Sequence, residues 1–478
     1  MFQSTLARTV ETRQKALSVN LDSRRYGTFA EIGAGQEVVR WFFRVGGAAG
    51  TIAKSMSAYD MQVSDAIYGR AGRYVCRERL QAMLDQEHQL NLDRLTEGRG
   101  ETSTFFAFAD TVAARGYKGG TECHGWMGIK FQAHPRDEDS QVIIHVRMLD
   151  NENALQQEAL GIVGVNLVYG AFAFHHEPEL LVESLLDGLS TSRIEIDMIE
   201  FSGIAFRRVD NRLMSLKLVE LGLSGAAMFA ADGDVLQPSE FLYRKPILVE
   251  RGSFRPVCNV NLDMLHCAHE KFSELPEVRG KEVAQIMEIT MRNLKAEGEI
   301  DRRDFLARVD IMAACGMNVL ISDYFEYYRL AAYLSQCTKE KIAITMGAGS
   351  LRELFEEKYY TKLPGGILES FGRLFKNDLK IYCYPLLDRD SRELTTCDNL
   401  EIKPELQQLY GYLLGRGEII GLDNFNRDCL GIFSRDVLRK IGECDHEWES
   451  MVPESVAQVI KDRKFFDYRC EEPCALSK

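Results

Sequence analysis

Ile342-Ala343-Ile344-Thr345-Met346-Gly347-Ala348-Gly349-Ser350-Leu351-Arg352-Glu353 is the stretch that decides the fold. Its first five residues read as a buried strand, the next four as a tight turn, and Leu351 onward as a helix that Ser350 can cap. Strand, turn and helix in this order make half of a βαβ unit, so the chain reads as α/β. Glycine has no Cβ, and a turn built on Gly347 and Gly349 would let backbone N–H groups approach a phosphate or carboxylate.

The same Gly-Ala-Gly core occurs earlier, as Gly33-Ala34-Gly35-Gln36 after the short run Thr28-Phe29-Ala30-Glu31-Ile32. There the strand looks like a stub, and residues 38–95 follow a mainly helical spacing through Val38, Val39, Phe42, Phe43, Leu80, Met83 and Leu84. Beyond residue 102, apolar runs alternate with helical patterns at 105–109, 142–146, 154–169, 194–201, 211–221, 226–229 and 246–250. After a Pro/Gly-bracketed break at 273–280, a long helical pattern starts at Lys281, and the strand 318–321, the helix 324–335 and the strand 342–346 follow. The expected architecture is α/β, with mixed or parallel sheets in two α/β units behind a helical N-terminal segment. The expected divisions are 1–100, 101–275 and 276–478.

The chain has 478 residues, 45% hydrophobic and 27% charged, with a net charge of −13. That balance suits buried cores and argues against non-specific binding to nucleic acid or an anionic membrane surface. No signal-peptide pattern or bilayer-length apolar run is evident, and the 12 cysteines have no paired spacing, so a cytoplasmic protein without a disulfide scaffold is expected.

The candidate binding residues are Gly347, Gly349 and Ser350 in the turn, with Arg251, Ser253 and Arg255 of Glu250-Arg251-Gly252-Ser253-Phe254-Arg255-Pro256, where two arginines flank a Gly-Ser turn suited to an anion. Glu195 and Asp197 share one strand face and Glu200 takes the other, a pattern open to ribose hydroxyls or a cation and equally to an exposed sheet face. In Glu122-Cys123-His124, neighbouring side chains point to opposite faces, so Cys123 and His124 are not expected to pair, although His124 can line a pocket. His266 and His269 lie on one helix face beside Glu270, near Cys258 and Cys267. They lack the Cys-x-x-Cys spacing of structural zinc, and no metal site is assigned. Cys470 and Cys474 sit in an acidic tail. No residue is singled out as catalytic and no cofactor is specified.

Taken together, residues 26–37, Asp210-Asn211-Arg212-Leu213-Met214-Ser215-Leu216, Lys245-Pro246-Ile247-Leu248-Val249-Glu250-Arg251-Gly252-Ser253-Phe254-Arg255-Pro256 and Leu363-Pro364-Gly365-Gly366-Ile367-Leu368-Glu369-Ser370-Phe371-Gly372 resemble an uncharacterised bacterial protein family over most of the chain. Its members carry conflicting automatic labels, TonB-dependent receptor or nicotinate-nucleotide adenylyltransferase. A receptor barrel requires an export signal and many alternating membrane strands, which this α/β pattern lacks. The adenylyltransferase requires His-x-Gly-His, whereas His175-His176 is followed by Glu177-Pro178 and His124-Gly125 by Trp126-Met127. The resemblance therefore implies no mechanism.

The leading expectation is a cytoplasmic α/β enzyme that binds a nucleotide or a phosphorylated small metabolite, with an anionic small-molecule ligand, no nucleic acid and no membrane partner. A non-catalytic, oligomeric assembly or regulatory protein is the alternative, because Trp41-Phe42-Phe43 spreads large apolar side chains over more than one helix face and a homo-oligomer would cover them. An S-adenosylmethionine-dependent methyltransferase is the third, from the partial match of residues 31–37 to that family's first motif.

Overall fold

In a computed structural model, residues 10–33, 35–116, 123–295, 298–388 and 392–469 are described. Ala34, residues 117–122, Cys470 and Cys474 lie outside them. The chain forms two compact units that divide between Gly225 and Ala226. The expected breaks near residues 100 and 276 fall inside these units, for reasons visible in the strands.

The first unit is built on one mixed sheet of β1 (Arg25–Gly33), β2 (Ile52–Met56), β3 (Thr104–Ala113), β4 (His124–Gln132), β5 (Asp139–Met148) and β6 (Ile194–Gly203), in the order β2-β1-β3-β4-β5-β6. β2, β1 and β3 run parallel, and β3 to β6 are antiparallel. The N-terminal segment is therefore no separate helical domain, since β1 is a full interior strand rather than a stub. Its buried residues include Thr28 and Glu31, which break the apolar pattern yet are satisfied internally, Thr28 by Asn91 at 2.9 Å. The helices Val38–Val45 and Asn153–Ala173 cover one sheet face, and Arg77–Arg99 covers the other. Phe42 lies in the core, Trp41 packs against it, and only Phe43 of the three stays outward, which removes most of the motive for an interface there.

The second unit contains β7 (Ala226–Phe229), β8 (Val235–Leu236), β9 (Ile247–Arg251), β10 (Ala284–Thr290), β11 (Asn318–Ser322), β12 (Ile342–Gly347), β13 (Lys380–Tyr384), a small ribbon of β14 (Leu386–Leu387) and β15 (Leu394–Thr395), and β16 (Ile419–Gly421). Its main sheet runs β16-β13-β12-β9-β10-β11-β7-β8. The strands from β16 to β11 are parallel, and β7 closes one side antiparallel. The parallel part starts in the middle at β9, builds outward through β10 and β11, then returns to β9's other side with β12 and continues outward again. That is a doubly wound sheet whose order reverses between β9 and β12. The Pro/Gly-bracketed segment near residue 276 is a loop inside one βαβ unit, between the helix Asn259–Ser273 and β10. Residues 284–290, expected to be helical, form β10.

The fold class is thus α/β, with one mixed and one mainly parallel sheet. Among the described residues no helix is long and apolar enough to cross a membrane. Among the described residues, nine cysteines are outside any disulfide, whereas Cys444 is disulfide-bonded.

Candidate functional site

In an open parallel sheet, the carboxyl ends of two neighbouring strands whose connections leave in opposite directions bound a crevice. Here those strands are β9 and β12, and the segments leaving them are Gly252-Ser253 and Gly347-Ala348-Gly349-Ser350. Beside them is a cavity of about 410 Å³ lined by Arg251, Gly252, Ser253, Thr290, Asn293, Phe325, Glu326, Tyr327, Ser350, Glu353, Leu354, Tyr359, Tyr360 and Arg435. Arg251 and Ser253, two residues apart, meet the sequence-distant Ser350 on its wall. Gly347, Gly349 and Arg255 are not part of that wall.

The role of each expected residue shifts with its contacts. Gly347 is the N-cap of the helix Ala348–Leu354 at φ −71°, a value open to any residue, and a side chain there would meet open space. The helix begins at Ala348, so Ser350 lies within its first turn and does not cap it.

Arg251 is not a free cation. Its Nε and Nη2 donate to the two carboxylate oxygens of Glu288 at 2.7 and 2.9 Å, while Nη2 and Nη1 also donate to the carbonyls of Tyr324 and Phe325. The guanidinium packs over the Tyr327 ring, 4.3 Å from its centroid. Glu288, fully buried, also accepts from Ser322 Oγ. Burial opposes the Arg251 cation, and Glu288 more than offsets it, so the arginine's pKa lies above its ordinary value. Register explains the pair, because Arg251 and Glu288 are direct neighbours across β9 and β10. Arg255 is likewise engaged, its Nε 2.7 Å from Asp304.

The wall is therefore not strongly electropositive. Arg435 is its exposed cation, with no ion pair among the described residues, and Glu326 and Glu353 are carboxylates on the same wall. Phe325, Tyr327, Tyr359 and Tyr360 supply flat apolar surface, and Ser253, Ser350, Thr290 and Asn293 supply hydrogen-bonding groups. Chemically the cavity suits a ligand with a ring, several hydroxyls and at most a modest negative charge. The aromatic side was legible in principle, as Tyr324-Phe325-Glu326-Tyr327-Tyr328 directly follows a strand end. Arg435 carried no such signal.

The first glycine turn is packed against its own protein. Gly33 takes φ +79°, and a Cβ on Gly35 would collide with the Asp110 carboxylate. Glu31 accepts the N–H groups of Val38 at 2.9 Å and Val39 at 3.3 Å, so a protein carboxylate already occupies the start of the helix Val38–Val45. Asp110, paired in register with Glu31, is wholly buried, and the backbone N–H of Ile32 is the group that favours its charged form. Burial pushes Glu31 up to about 8 and holds Asp110 well above the usual carboxylate range.

Of the remaining candidates, His266 pairs with Glu270 at 3.3 Å and His269 reaches Ser273 at 3.5 Å, so the two imidazoles take separate partners. Cys258 and Cys267 are buried thiols, pushed up by burial to about 12 and about 11. Glu195 is bound by Arg147 at 3.0 Å, and Glu200 by Arg77 at 2.6 Å.

No protein-family model matches the chain, and no curated protein matches it. Solved structures similar to part of it include the competence/damage-inducible protein CihA from Agrobacterium tumefaciens, 13% identical, covering 33% of this chain and 93% of that one with a TM-score of 0.24. A competence-damaged protein (CinA) superfamily member from Klebsiella pneumoniae 700603 is 14% identical, covering 34% and 96% with a TM-score of 0.26. Another, from Enterobacter cloacae, is 12% identical, covering 36% and 98% with a TM-score of 0.24. Likeness at this level carries no argument about what this chain does.

Proposed function

We propose that the second unit binds a nucleotide or a similar phosphorylated small metabolite in the crevice where its strand order reverses. One observation supports this above the others: Ser253 after β9 and Ser350 after β12 converge on a single aromatic-walled cavity. In this reading the ligand's ring lies against Tyr327, Tyr359 and Phe325, Glu353 accepts from sugar hydroxyls, and Arg435 with the two serine hydroxyls meets the phosphate. Arg251 acts differently from the anion clasp expected from sequence, because Glu288 holds it as a fixed part of the wall.

Calorimetry of the intact chain with nucleoside monophosphates, and with the matching nucleosides, tests the proposal. Binding is expected for at least one nucleotide, weakened about tenfold or more in Arg435→Ala, with the nucleoside weaker than the nucleotide. Absence of binding across the nucleotides and across sugar phosphates would remove the reading.

A further inference from the structure

The first unit has its own point of strand reversal. β1 comes first in the chain, the helix Val38–Val45 leads over one sheet face to β2, and the helix Arg77–Arg99 leads back over the other face to β3. β3 therefore pairs with β1 on the side away from β2, and the order reverses between β1 and β3. A cavity of about 610 Å³ opens at their carboxyl ends, lined by Ile32 and Gly33 of β1 and by Thr111, Val112 and Ala113 of β3.

The place where such a crevice ordinarily receives a phosphate is filled by the protein itself. Val38 and Val39 donate their N–H groups to the Glu31 carboxyl, and a Cβ on Gly35 would meet the Asp110 carboxyl. A ligand has to find its charge partner elsewhere. Among the described residues on the cavity wall, Arg115 is the one charged group, and it has no ion pair. Its backbone N–H donates to Gln156 Oε1 at 3.1 Å and its Nη1 to the Asn151 carbonyl at 2.7 Å, which ties the loop after β3 to the chain around the start of the helix Asn153–Ala173. Nε and Nη2 have no acceptor among the described residues.

The outer part of the same wall is apolar. Tyr59, Met61 and Val63 are 77%, 59% and 49% exposed, and Tyr59 and Met61 line the cavity. Asp60 accepts the N–H groups of Gln62 and Val63 and so caps the helix Met61–Tyr68, which fixes Tyr59 and Met61 on either side of the cap. Large apolar side chains left outside at three of five consecutive positions mark a surface suited to an apolar partner. Asn153 and Gln157, one turn apart on their helix, add amide donors and acceptors.

We propose that this crevice binds a small organic monocarboxylate, its carboxylate held by Arg115 and its hydrocarbon or aromatic body lying against Tyr59 and Met61. Nε and Nη2, the fork left over from the Asn151 contact, match the two oxygens of a carboxylate. A phosphate monoester carries close to two negative charges at pH 7, and the wall offers it neither a second cation nor a vacant helix N-terminus. Glu31 and Asp110, next along their strands to the lining residues Ile32 and Thr111, keep their protons through burial and set no negative charge against the ligand. The site stands whether or not the second unit binds a nucleotide.

Saturation-transfer NMR and calorimetry on the intact chain test this with benzoate, phenylacetate, indole-3-acetate and hexanoate, each beside its neutral amide, and with phenyl phosphate. At least one carboxylate is expected to bind at pH 7, about tenfold or more tighter than its amide and tighter than phenyl phosphate. Arg115→Gln is expected to weaken it about tenfold and Tyr59→Ser about threefold, with folding verified by circular dichroism at these two exposed positions. Absence of binding by all four carboxylates would overturn the proposal. Equal binding of the amide, or an affinity unchanged in Arg115→Gln or in Tyr59→Ser, would do the same by locating the carboxylate elsewhere on the chain. Phenyl phosphate binding tighter than every carboxylate, and lost in Arg115→Gln, would replace the monocarboxylate with a phosphate ligand.

Discussion

The two sheets place charged residues at equivalent points and stabilise them in opposite ways. Near the carboxyl ends of paired parallel strands, the second unit sets Arg251 beside Glu288, and the first sets Glu31 beside Asp110. Opposite charges in register give a two-pronged ion pair that remains ionised in the interior. Like charges in register remain buried by retaining protons, as the raised pKa values of Glu31 and Asp110 indicate. A buried charge therefore marks structure in one unit and a proton reservoir in the other, and residue type alone does not distinguish them.

The sharpest way to break this comparison is Arg251→Met. It leaves Glu288 buried without its partner, and a loss of about 3–5 kcal/mol is expected in urea unfolding of the intact chain. A loss below about 1 kcal/mol would mean that the pair contributes little and that Arg251 is available to a ligand after all.

A second test asks whether the proton solution also operates in the second unit, at Glu250, one residue before Arg251. Glu250 is wholly buried, accepts from Asn261 at 2.6 Å, and is pushed up to about 8 by burial. Because the folded value lies above the unfolded one, the folded state holds the extra proton. Its stabilising effect is complete below the unfolded value and is lost as pH rises toward 8, at about 1.4 kcal/mol per pH unit. Glu250→Gln removes that slope, so its stability relative to the parent chain is expected to rise by about 3 kcal/mol between pH 5 and pH 7. Parallel pH profiles for the two proteins would contradict the shift.

Gly35→Ala probes the first unit's acid pair sterically, since the new methyl would collide with Asp110. A loss of about 2 kcal/mol is expected, most of it recovered when Asp110→Ala is combined with it in a double-mutant cycle. Additive losses would show that the contact does not fix the turn. The smallest effect belongs to Arg435→Ala, an exposed site where stability is expected to stay within about 0.5 kcal/mol while ligand binding weakens.

These contrasts also show what the sequence carried. β12 was legible because Ile342, Ala343, Ile344 and Met346 make an apolar run broken only by Thr345, and its turn led directly to the crevice. β10 was not, because Gln285 and Glu288 interrupt the pattern, and Glu288 belongs in a buried strand only once Arg251 is known to lie beside it. β1 looked like a stub because its apolar run, residues 28–32, is short, whereas the strand already begins at Arg25. Arg251 looked like an anion clasp because its local companions Gly252, Ser253 and Arg255 are visible in the chain, whereas Glu288 is a partner of register and not of proximity in sequence. The run of hydrogen bonds from Asp197 through His145 to His124, across β6, β5 and β4, was hidden in another way. Period-two alternation correctly separated Cys123 from His124, but it is silent on which residue of a distant strand lies across the ladder.

The position of β9 has a consequence for synthesis. It lies in the interior of the second unit's main sheet, yet it is the first of the six strands from β16 to β11 to be made. Both its edges therefore stay open while the ribosome adds the residues of β10 on one side and, later, β12 on the other. Its apolar run Ile247-Leu248-Val249 is fully buried in the finished protein. On the nascent chain it is an exposed template with two unpaired edges, the segment where premature pairing with another copy would begin and where a chaperone would find its first hold.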